Sequence, residues 1–326
     1  MLFFRFTKIL NCFMLKVKTK RKKEEDLNMK KCSTRKNENQ SLKSHLTQSQ
    51  AEILLAAVIL LRSTSYLFSK GLLSELDSFQ ILSIRFLSAG VLLSPFLLKY
   101  RSKINLQCVL RGSLLGLLFF GVMAAEMNSL KTMPTSVTSF TENTAIVFVP
   151  LFHAAFSRQR LPMKSFLYAG VALAGVALLI LDQTLELFSP GTLWGFAAAI
   201  LYALTILATK QFSKHSAPQV LGIVQVIALG IASAAASFLS EKTIFPEIDG
   251  TAWFSLLFLI LICTVLGFTL QPLAQSGTTA ERAGILCALN PAAAALLGHF
   301  FLNENLGVRG ILGALLILAC LFGDRK

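Results

Sequence analysis

The stretch Pro134–Pro150, PTSVTSFTENTAIVFVP, decides the fold class of this chain. It is apolar enough to enter a bilayer, yet its first half carries polar side chains: Thr138, Thr141, Glu142, Asn143 and Thr144. A carboxylate facing lipid would lose its hydration at a cost of several kcal/mol, or would have to stay protonated. We therefore expect Glu142 to face a cavity or a protein partner inside a bundle of helices.

A second polar segment, Thr279–Asn303, lies near the other end of the chain and has Asn290 followed by Pro291 in its middle. Two polar, proline-bearing helices in corresponding halves of a chain indicate a transporter built from repeats, with its substrate site near the membrane midplane. Pro150 and Pro291 each lack a backbone donor, which loosens a helix locally. Both prolines are therefore candidate hinges.

Composition places the chain among membrane proteins. It has 326 residues, of which 54% are hydrophobic and 15% charged, and its mean hydropathy is +0.63. Soluble domains carry about 25% charged residues. The apolar residues fall in about ten blocks of roughly 18–24 residues, the length that spans about 30 Å of hydrocarbon. We predict an all-α polytopic membrane protein with these spans: Ile53–Leu72, Phe79–Leu98, Val109–Met127, Val137–Phe156, Ser165–Leu181, Thr192–Thr209, Pro218–Leu239, Trp253–Leu273, Ala283–Leu302 and Val308–Phe322.

The first 50 residues hold 13 of the basic residues and only four acidic ones, and this segment lacks a core-forming pattern. It is predicted to be a disordered basic cytoplasmic tail, which either orients the first helix or contacts anionic lipid headgroups. Because +9 of the net charge of +14 lies in this tail, the basic character of the chain does not indicate a nucleic-acid partner.

Basic residues mark alternate connections after the tail. Lys99, Arg101, Arg158 and Lys210 lie on one side of the predicted membrane, whereas acidic residues are concentrated in the connections on the other. This bias predicts that both termini are cytoplasmic, in a plasma (inner) membrane protein. The six cysteines show no clustering, so we expect neither a disulfide nor a metal site.

Ionisable and polar residues inside the predicted spans are the site candidates. Arg62 lies about ten residues inside the first helix, roughly 15 Å along its axis and therefore near the midplane. It could contact a substrate or gate, or form a structural ion pair; Glu142 likewise could be functional or a satisfied structural acid. We predict that these two residues act together. The candidates for the substrate cavity are Arg62, Tyr66, Glu126, Thr138, Thr141, Glu142, Asn143, Tyr202 and Asn290.

Several stretches resemble the EamA family of the drug/metabolite transporter superfamily: Leu60–Lys70, Arg85-Phe86, Thr135–Arg160, Gly191–Lys210 and Ala280–Glu304. Their order and spacing carry the resemblance, which extends over about residues 51–323. It implies ten helices in inverted repeats around a cavity lined mainly by the first, third, fourth, sixth, eighth and ninth helices. It also implies transport of small metabolites or drugs. Where relatives often have Trp-Gly in the first helix, this chain has Arg62-Ser63.

The predicted organisation is a tail over 1–50 and two five-helix repeats over 51–182 and 190–323. Five helices per repeat would place the halves in opposite orientations. We predict a secondary transporter, an exporter or exchanger that works by alternating access, without catalytic residues, cofactor or metal. A membrane-embedded enzyme and a receptor-like protein are the alternatives, although the chain has no HExxH, GxSxG or Walker A motif. Expected partners are a small-molecule substrate and membrane lipid, with protons as a candidate coupling ion and a monomer or homodimer as the assembly.

Overall fold

A computed structural model describes residues 47–157, 189–240 and 249–302, together with isolated helical positions within 167–178 and 308–316. Every regular element in these ranges is a helix. The helices are α1 (Gln48–Leu72), α2 (Ser78–Lys99), α3 (Leu106–Thr132), α4 (Thr135–Asn143), α5 (Ala145–Ser157), α6 (Pro190–Phe212), α7 (Pro218–Leu239), α8 (Gly250–Phe258), α9 (Gly267–Ser276), α10 (Ala280–Leu286) and α11 (Leu289–Leu302). A short 3₁₀ turn, Arg101–Lys103, joins α2 to α3.

Seven helical stretches among the described residues are long and apolar enough to cross a membrane. They are α1, α2, α3, α6, α7, the continuous stretch from α8 to α9, and the stretch from α10 into α11. This confirms the prediction of an all-helical polytopic membrane protein. The predicted fifth and tenth spans, Ser165–Leu181 and Val308–Phe322, lie largely outside the described residues, as does the basic tail.

The helix starts follow local side-chain chemistry. Thr47 and Asp77 each form a capping box with the glutamine three residues later, and Asn105, Ser189 and Thr279 cap their helices with a side-chain oxygen. Such caps satisfy backbone N–H groups that have no acceptor within the helix. Proline begins both α6 and α7, where its missing donor costs nothing.

The predicted fourth and ninth spans are both interrupted. A break at Thr144 separates α4 from α5, and a turn at Cys287 and Ala288 separates α10 from α11. In the second case Pro291 has no N–H to donate to the Cys287 carbonyl, which instead accepts from the Asn290 amide at 2.9 Å. In the first case the Thr144 hydroxyl donates to the Thr141 carbonyl at 2.6 Å, so a side chain competes with the helical pattern. The breaks therefore precede the two prolines, which were the predicted hinges.

The predicted eighth span contains a π-helical segment, Leu259–Leu266, between α8 and α9. There the Thr264 hydroxyl donates to the carbonyl of Leu259, five residues earlier, at 2.8 Å. The same hydroxyl accepts from Nε of the buried Arg85 at 2.7 Å. Wide turns of this kind are rare in helices and frequently mark functional sites. The segment packs against α1 and α2, beside the centre of the bundle.

Close packing of α3 on α7 depends on glycine. A Cβ placed on Gly116 of α3 would lie 2.6 Å from Cβ of Ala228 and 2.7 Å from the carbonyl oxygen of Gln225, both on α7. A Cβ placed on Gly112 would likewise lie 2.7 Å from Cβ of Val224 on α7. Because backbone atoms stand at the contact, they cannot swing aside as a flexible side chain would.

We therefore expect Gly116→Ala to destabilise the protein by about 1–3 kcal/mol, since an added methyl must push α3 away from α7. Thermal unfolding in detergent measures the effect. Gly71→Ala is the matched control, because nothing lies within 4 Å of its Cβ position. It should leave the melting temperature unchanged or raise it slightly. Equal melting temperatures for the two variants would contradict the tight α3–α7 contact.

Candidate functional site

Arg62 lies near the middle of α1 and reaches into the bundle rather than towards an end. Its guanidinium donates a hydrogen bond to Oε1 of Gln271 on α9. The guanidinium carbon lies 4.2 Å from the ring centre of Phe268 and 5.4 Å from that of Phe119. Its Cγ would be 2.8 Å from a Cβ on Gly267, so that glycine makes room for the arginine stem. Arg62 is thus held by a neutral amide and two aromatic rings.

A hydrogen-bonded chain connects α1 to both interrupted spans. The Tyr66 hydroxyl donates to Oε2 of Glu142 at 2.7 Å, and Nδ2 of Asn290 donates to the same hydroxyl at 3.1 Å. Tyr66 is one turn after Arg62, so both project from the same face of α1. Glu142 lies two residues before the break at Thr144, and Asn290 lies just after the break at Ala288. The two helix breaks therefore meet at Tyr66.

Glu126 on α3 and Glu142 on α4 are close enough to interact electrostatically with each other. Both residues are only 2% exposed. Arg62 and Arg85 are close enough to Glu126 to interact with it electrostatically, and Arg62 also interacts with Glu142. Ionisable side chains from four different helices thus interact around Glu126.

Tyr202 of α6 completes this side of the cluster. Its ring centre lies 5.9 Å from that of Phe119, and its hydroxyl is 3.4 Å from Sγ of Cys287, at the turn between α10 and α11. It lies within electrostatic range of Arg62 and Glu142. We call the group formed by Arg62, Tyr66, Glu126, Glu142, Tyr202, Gln271 and Asn290 the central cluster.

Three predicted cavity residues of α4 point elsewhere. The Thr138 hydroxyl is 3.0 Å from that of Ser129 on α3, and the Thr141 hydroxyl donates to carbonyl groups of its own helix. Asn143 donates from Nδ2 to the Ser139 carbonyl at 2.7 Å. The hydroxyl groups of Thr138 and Thr141 are thus used in local bonds, whereas Oδ1 of Asn143 is buried without a hydrogen-bond partner among the described residues. The structure therefore brings six of the nine candidates together.

Three buried polar atoms of the central cluster have no hydrogen-bond partner among the described residues. They are Nε of Arg62, Oε1 of Glu126 and Oδ1 of Asn290. Such atoms are rare in folded proteins, because each costs free energy when it is buried unpaired. One donor and two acceptors of the central cluster therefore have hydrogen-bonding capacity left for a polar ligand.

A second polar group lies at the end of the bundle where α1 begins. Glu52 pairs with Arg282 of α10, with Oε2 of the acid 3.3 Å from Nε of the arginine, and both side chains are less than 10% exposed. Gln48 and Thr278 also donate to Glu52, at 3.0 Å and 3.4 Å. Nearby, Nδ1 of His153 on α5 contacts the carboxylate of Glu281. We call Glu52, His153, Glu281 and Arg282 the end latch.

Sequence reasoning missed part of the central cluster. Gln271 could have been identified from the sequence, because it is a polar residue followed by proline within an otherwise apolar span. Phe119, Phe268 and Cys287 gave no such signal, since apolar side chains of this kind fill every span. The hydrogen-bond partners of Arg62 and Glu142 are Gln271 and Tyr66 rather than each other, and the joint action of the two residues stays a prediction.

The profile of the EamA-like transporter family matches this chain twice, over residues 49–181 and 189–323. An uncharacterized transporter of Archaeoglobus fulgidus is 28% identical over 287 residues, covering 83% of this chain and 96% of that protein. A second uncharacterized transporter of the same organism is 25% identical over 210 residues, covering 64% of this chain and 74% of its own length.

A solved crystal structure of another protein superposes with a TM-score of 0.70 at 20% sequence identity, covering 85% of this chain and 96% of that one. This similarity shows the fold alone. The two profile matches together span most of the residues between the tail and the C-terminus. The chain is therefore an integral membrane protein that belongs to the EamA-like transporter family.

Proposed function

We propose that this protein is a secondary transporter that moves small organic solutes across the plasma membrane by alternating access, with the central cluster as its substrate site. The observation that carries the proposal is the meeting of two interrupted helices at Tyr66, beside buried polar atoms that have no partner among the described residues. Discontinuous helices at membrane depth are tolerated where they line a cavity, and they form the substrate sites of many transporters.

The packing of the helices supports two inverted five-helix repeats, over 51–182 and 190–323. The first helix of the first half, α1, packs on α11 of the second half. The first helix of the second half, α6, packs on α4 and α5 of the first half. The first helix of each half thus packs on the interrupted span of the other half, as a two-fold relation between the repeats requires. The central cluster lies between these two pairs.

Among the described residues, the ion pairs that join the two halves lie at the end of the bundle where α1 begins. In the end latch, Glu52 and His153 of the first half contact Arg282 and Glu281 of the second half. At the opposite end, the ion pair of Asp77 with Lys131, 3.0 Å long, joins two helices of the same half. Alternating access then requires the contacts of the end latch to break when the central cluster becomes accessible from the end where α1 begins.

Counterflow tests the proposal. Purified protein is first screened by thermal shift against a panel of small metabolites, because a ligand that binds the folded state raises the melting temperature. Liposomes loaded with an unlabelled hit should then accumulate the labelled form and return it chemically unchanged. A chemically altered product would identify a membrane-embedded enzyme, and binding without exchange would identify a receptor-like protein.

The proposed orientation places the termini in the cytoplasm and gives a separate prediction. In a cysteine-free background, an impermeant thiol reagent added to intact cells should label Ser74→Cys, in the connection after α1. It should not label Ser102→Cys, in the connection after α2, until the membrane is permeabilised. Both positions are exposed, so accessibility within the protein does not decide the result. Labelling of position 102 but not 74 would reverse the orientation.

A further inference from the structure

We propose that the central cluster opens to solvent through a passage between α1 and α9, with the amide of Gln275 as its polar lining and the end latch as its gate. The proposal rests on the transport function above and adds the route by which a solute reaches Arg62 from the end where α1 begins. Three features carry it: the two anchored ends of the α1–α9 contact, the unsatisfied amide between them, and the buried ion pair of the latch.

The contact between α1 and α9 is anchored at two depths. Arg62 donates to Gln271 and lies over the ring of Phe268, which forms the inner anchor at the central cluster. The outer anchor lies just after the end of α9, where the Thr278 hydroxyl donates to Oε1 of Glu52 at 3.4 Å. The two anchors are roughly 15 Å apart along α1. The helices therefore run side by side from the central cluster to the end latch.

Gln275 lies between these anchors on α9. It is one turn after Gln271 and two turns after Phe268, so the three side chains share one face of the helix. That face is directed at α1, because Gln271 and Phe268 both contact Arg62 there. The backbone carbonyl of Gln275 also accepts from the N–H of Thr278 at 3.4 Å, so the residue lies within one turn of the outer anchor.

The side chain of Gln275 is buried although its amide is not satisfied. It is 1% exposed, and neither Nε2 nor Oε1 has a hydrogen-bond partner among the described residues. A buried amide without donor and acceptor partners costs free energy. This cost belongs to the closed arrangement alone, because water or a polar solute can pair with both atoms once α1 and α9 separate. An amide at this position therefore suits a passage that opens and closes.

The end latch holds the passage closed. Nε of Arg282 lies 3.3 Å from Oε2 of Glu52, and both side chains are less than 10% exposed. Glu52 belongs to the first half and Arg282 to the second, so the pair breaks when the halves separate at this end. Removal of one partner leaves the other charge unpaired and buried in the closed state, whereas in the open state that charge is in water. Loss of one charge should therefore shift the population towards the open passage.

Thiol labelling of the full chain in detergent tests the passage without a solute. The reagent is 2-sulfonatoethyl methanethiosulfonate, whose charge restricts it to water-filled space, and the native cysteines are replaced. Gln275→Cys and Ile59→Cys place a thiol on each wall. Ile59 lies between the anchors on α1, two turns after Glu52 and one turn before Arg62. Both positions are buried and should react slowly with an intact latch. Adding Glu52→Gln should accelerate both reactions by about tenfold or more, because it destabilises the closed state.

Two controls accompany the labelling. Ala274→Cys lies beside Gln275 at the same depth, but Ala274 is fully buried in the main apolar core, so its thiol should stay unreactive with and without the latch. Asp77→Asn breaks the ion pair at the opposite end, within one half, and should leave the labelling of Gln275→Cys unchanged. If Glu52→Gln lowers the yield of folded protein, the double variant Glu52→Gln/Arg282→Gln removes the latch without leaving a lone buried charge.

The variant Gln275→Leu tests the unsatisfied amide. Leucine has a similar volume and no polar side-chain atoms, so the closed protein should unfold at an unchanged or higher temperature. In the Glu52→Gln background it should also slow the labelling of Ile59→Cys, because an apolar side chain disfavours water between α1 and α9. A clear fall in melting temperature would show that Gln275 is satisfied by a fixed buried water and has a structural role only, which would overturn its part in the passage.

The labelling result decides the route. Acceleration at Gln275→Cys and Ile59→Cys, with Ala274→Cys unreactive, supports the passage. Unchanged labelling at either wall in folded latch variants would overturn it, and so would equal acceleration at Ala274→Cys, which indicates general loosening of the bundle. No solute is needed, so the test is independent of counterflow. A protein that exchanges solute without accelerated labelling uses another route, and one that is labelled as expected but fails in counterflow is not a transporter.

Discussion

Arg62→Gln is expected to abolish transport of the solute identified by counterflow. The change removes the one cation of α1 that reaches the central cluster, together with its contacts to Gln271, Phe119 and Phe268. Losing the charged partner of a buried anion costs about 2–5 kcal/mol, which corresponds to binding that is about 30-fold to several-thousand-fold weaker. Uptake into proteoliposomes measures the loss of transport, and the ligand-induced thermal shift measures the loss of binding.

Controls separate loss of function from loss of fold in this experiment. Arg101→Gln removes the same charge from an exposed 3₁₀ turn and should transport like wild type. Arg62→Lys keeps the charge but loses the planar group that stacks on the rings, so it should fold and bind more weakly. Adding Glu142→Gln to Arg62→Gln should recover folded protein, because fewer unbalanced acids remain, but not transport. Near-wild-type transport by Arg62→Gln would remove this residue from the site.

Arg282→Gln is expected to cause the largest loss of stability. The change leaves Glu52 charged and buried, and breaking one partner of a buried ion pair typically costs about 3–5 kcal/mol. Glu52→Gln should also destabilise the protein, whereas the double variant should recover much of the loss because no lone charge remains. A double-mutant cycle on thermal unfolding gives the coupling. Additive losses from the two single changes would show that the pair is not an energetic unit.

The Asp77–Lys131 pair is the exposed control for the buried Glu52–Arg282 pair, since its side chains are 30% and 40% exposed. Burial alone would raise the pKa of Asp77, but the hydrogen bond and charge of Lys131 outweigh it and hold that pKa below its ordinary value. The pair therefore contributes at neutral pH, and its contribution is lost as the pH falls through the lowered pKa. Exposed pairs contribute about 0–1 kcal/mol, so Lys131→Gln should have a far smaller effect than Arg282→Gln.

The long uninterrupted helices were predictable from sequence because span length and apolar composition are properties of the local chain. The predicted span Pro218–Leu239 coincides with α7. The breaks were harder to predict. They depend on the orientation of the Thr144 hydroxyl and of the Asn290 backbone N–H, which form the hydrogen bonds at the two breaks. Proline indicated the right helices but not the position of the interruption.

The charged members of the central cluster were predictable because an ionisable side chain at membrane depth needs a reason to be there. Their pairing was not predictable. Arg62 and Glu142 have opposite charges and similar depth, yet each takes a neutral partner. The electrostatic interaction of Glu126 with Glu142 follows from the packing of α3 on α4, which the sequence alone does not show.

The π-helical segment Leu259–Leu266 has a consequence for how this chain tolerates insertions and deletions. A π turn holds one residue more than an α turn, because its hydrogen bonds close over five residues instead of four. Loss of one residue there would let the wide turn close as an ordinary one, with Gln271 still directed at Arg62. Loss of one residue from α9 before Gln271 would rotate the following residues by about 100° about the helix axis. Gln271 would then no longer be directed at Arg62. Length variation between relatives in the eighth span is therefore expected within this segment.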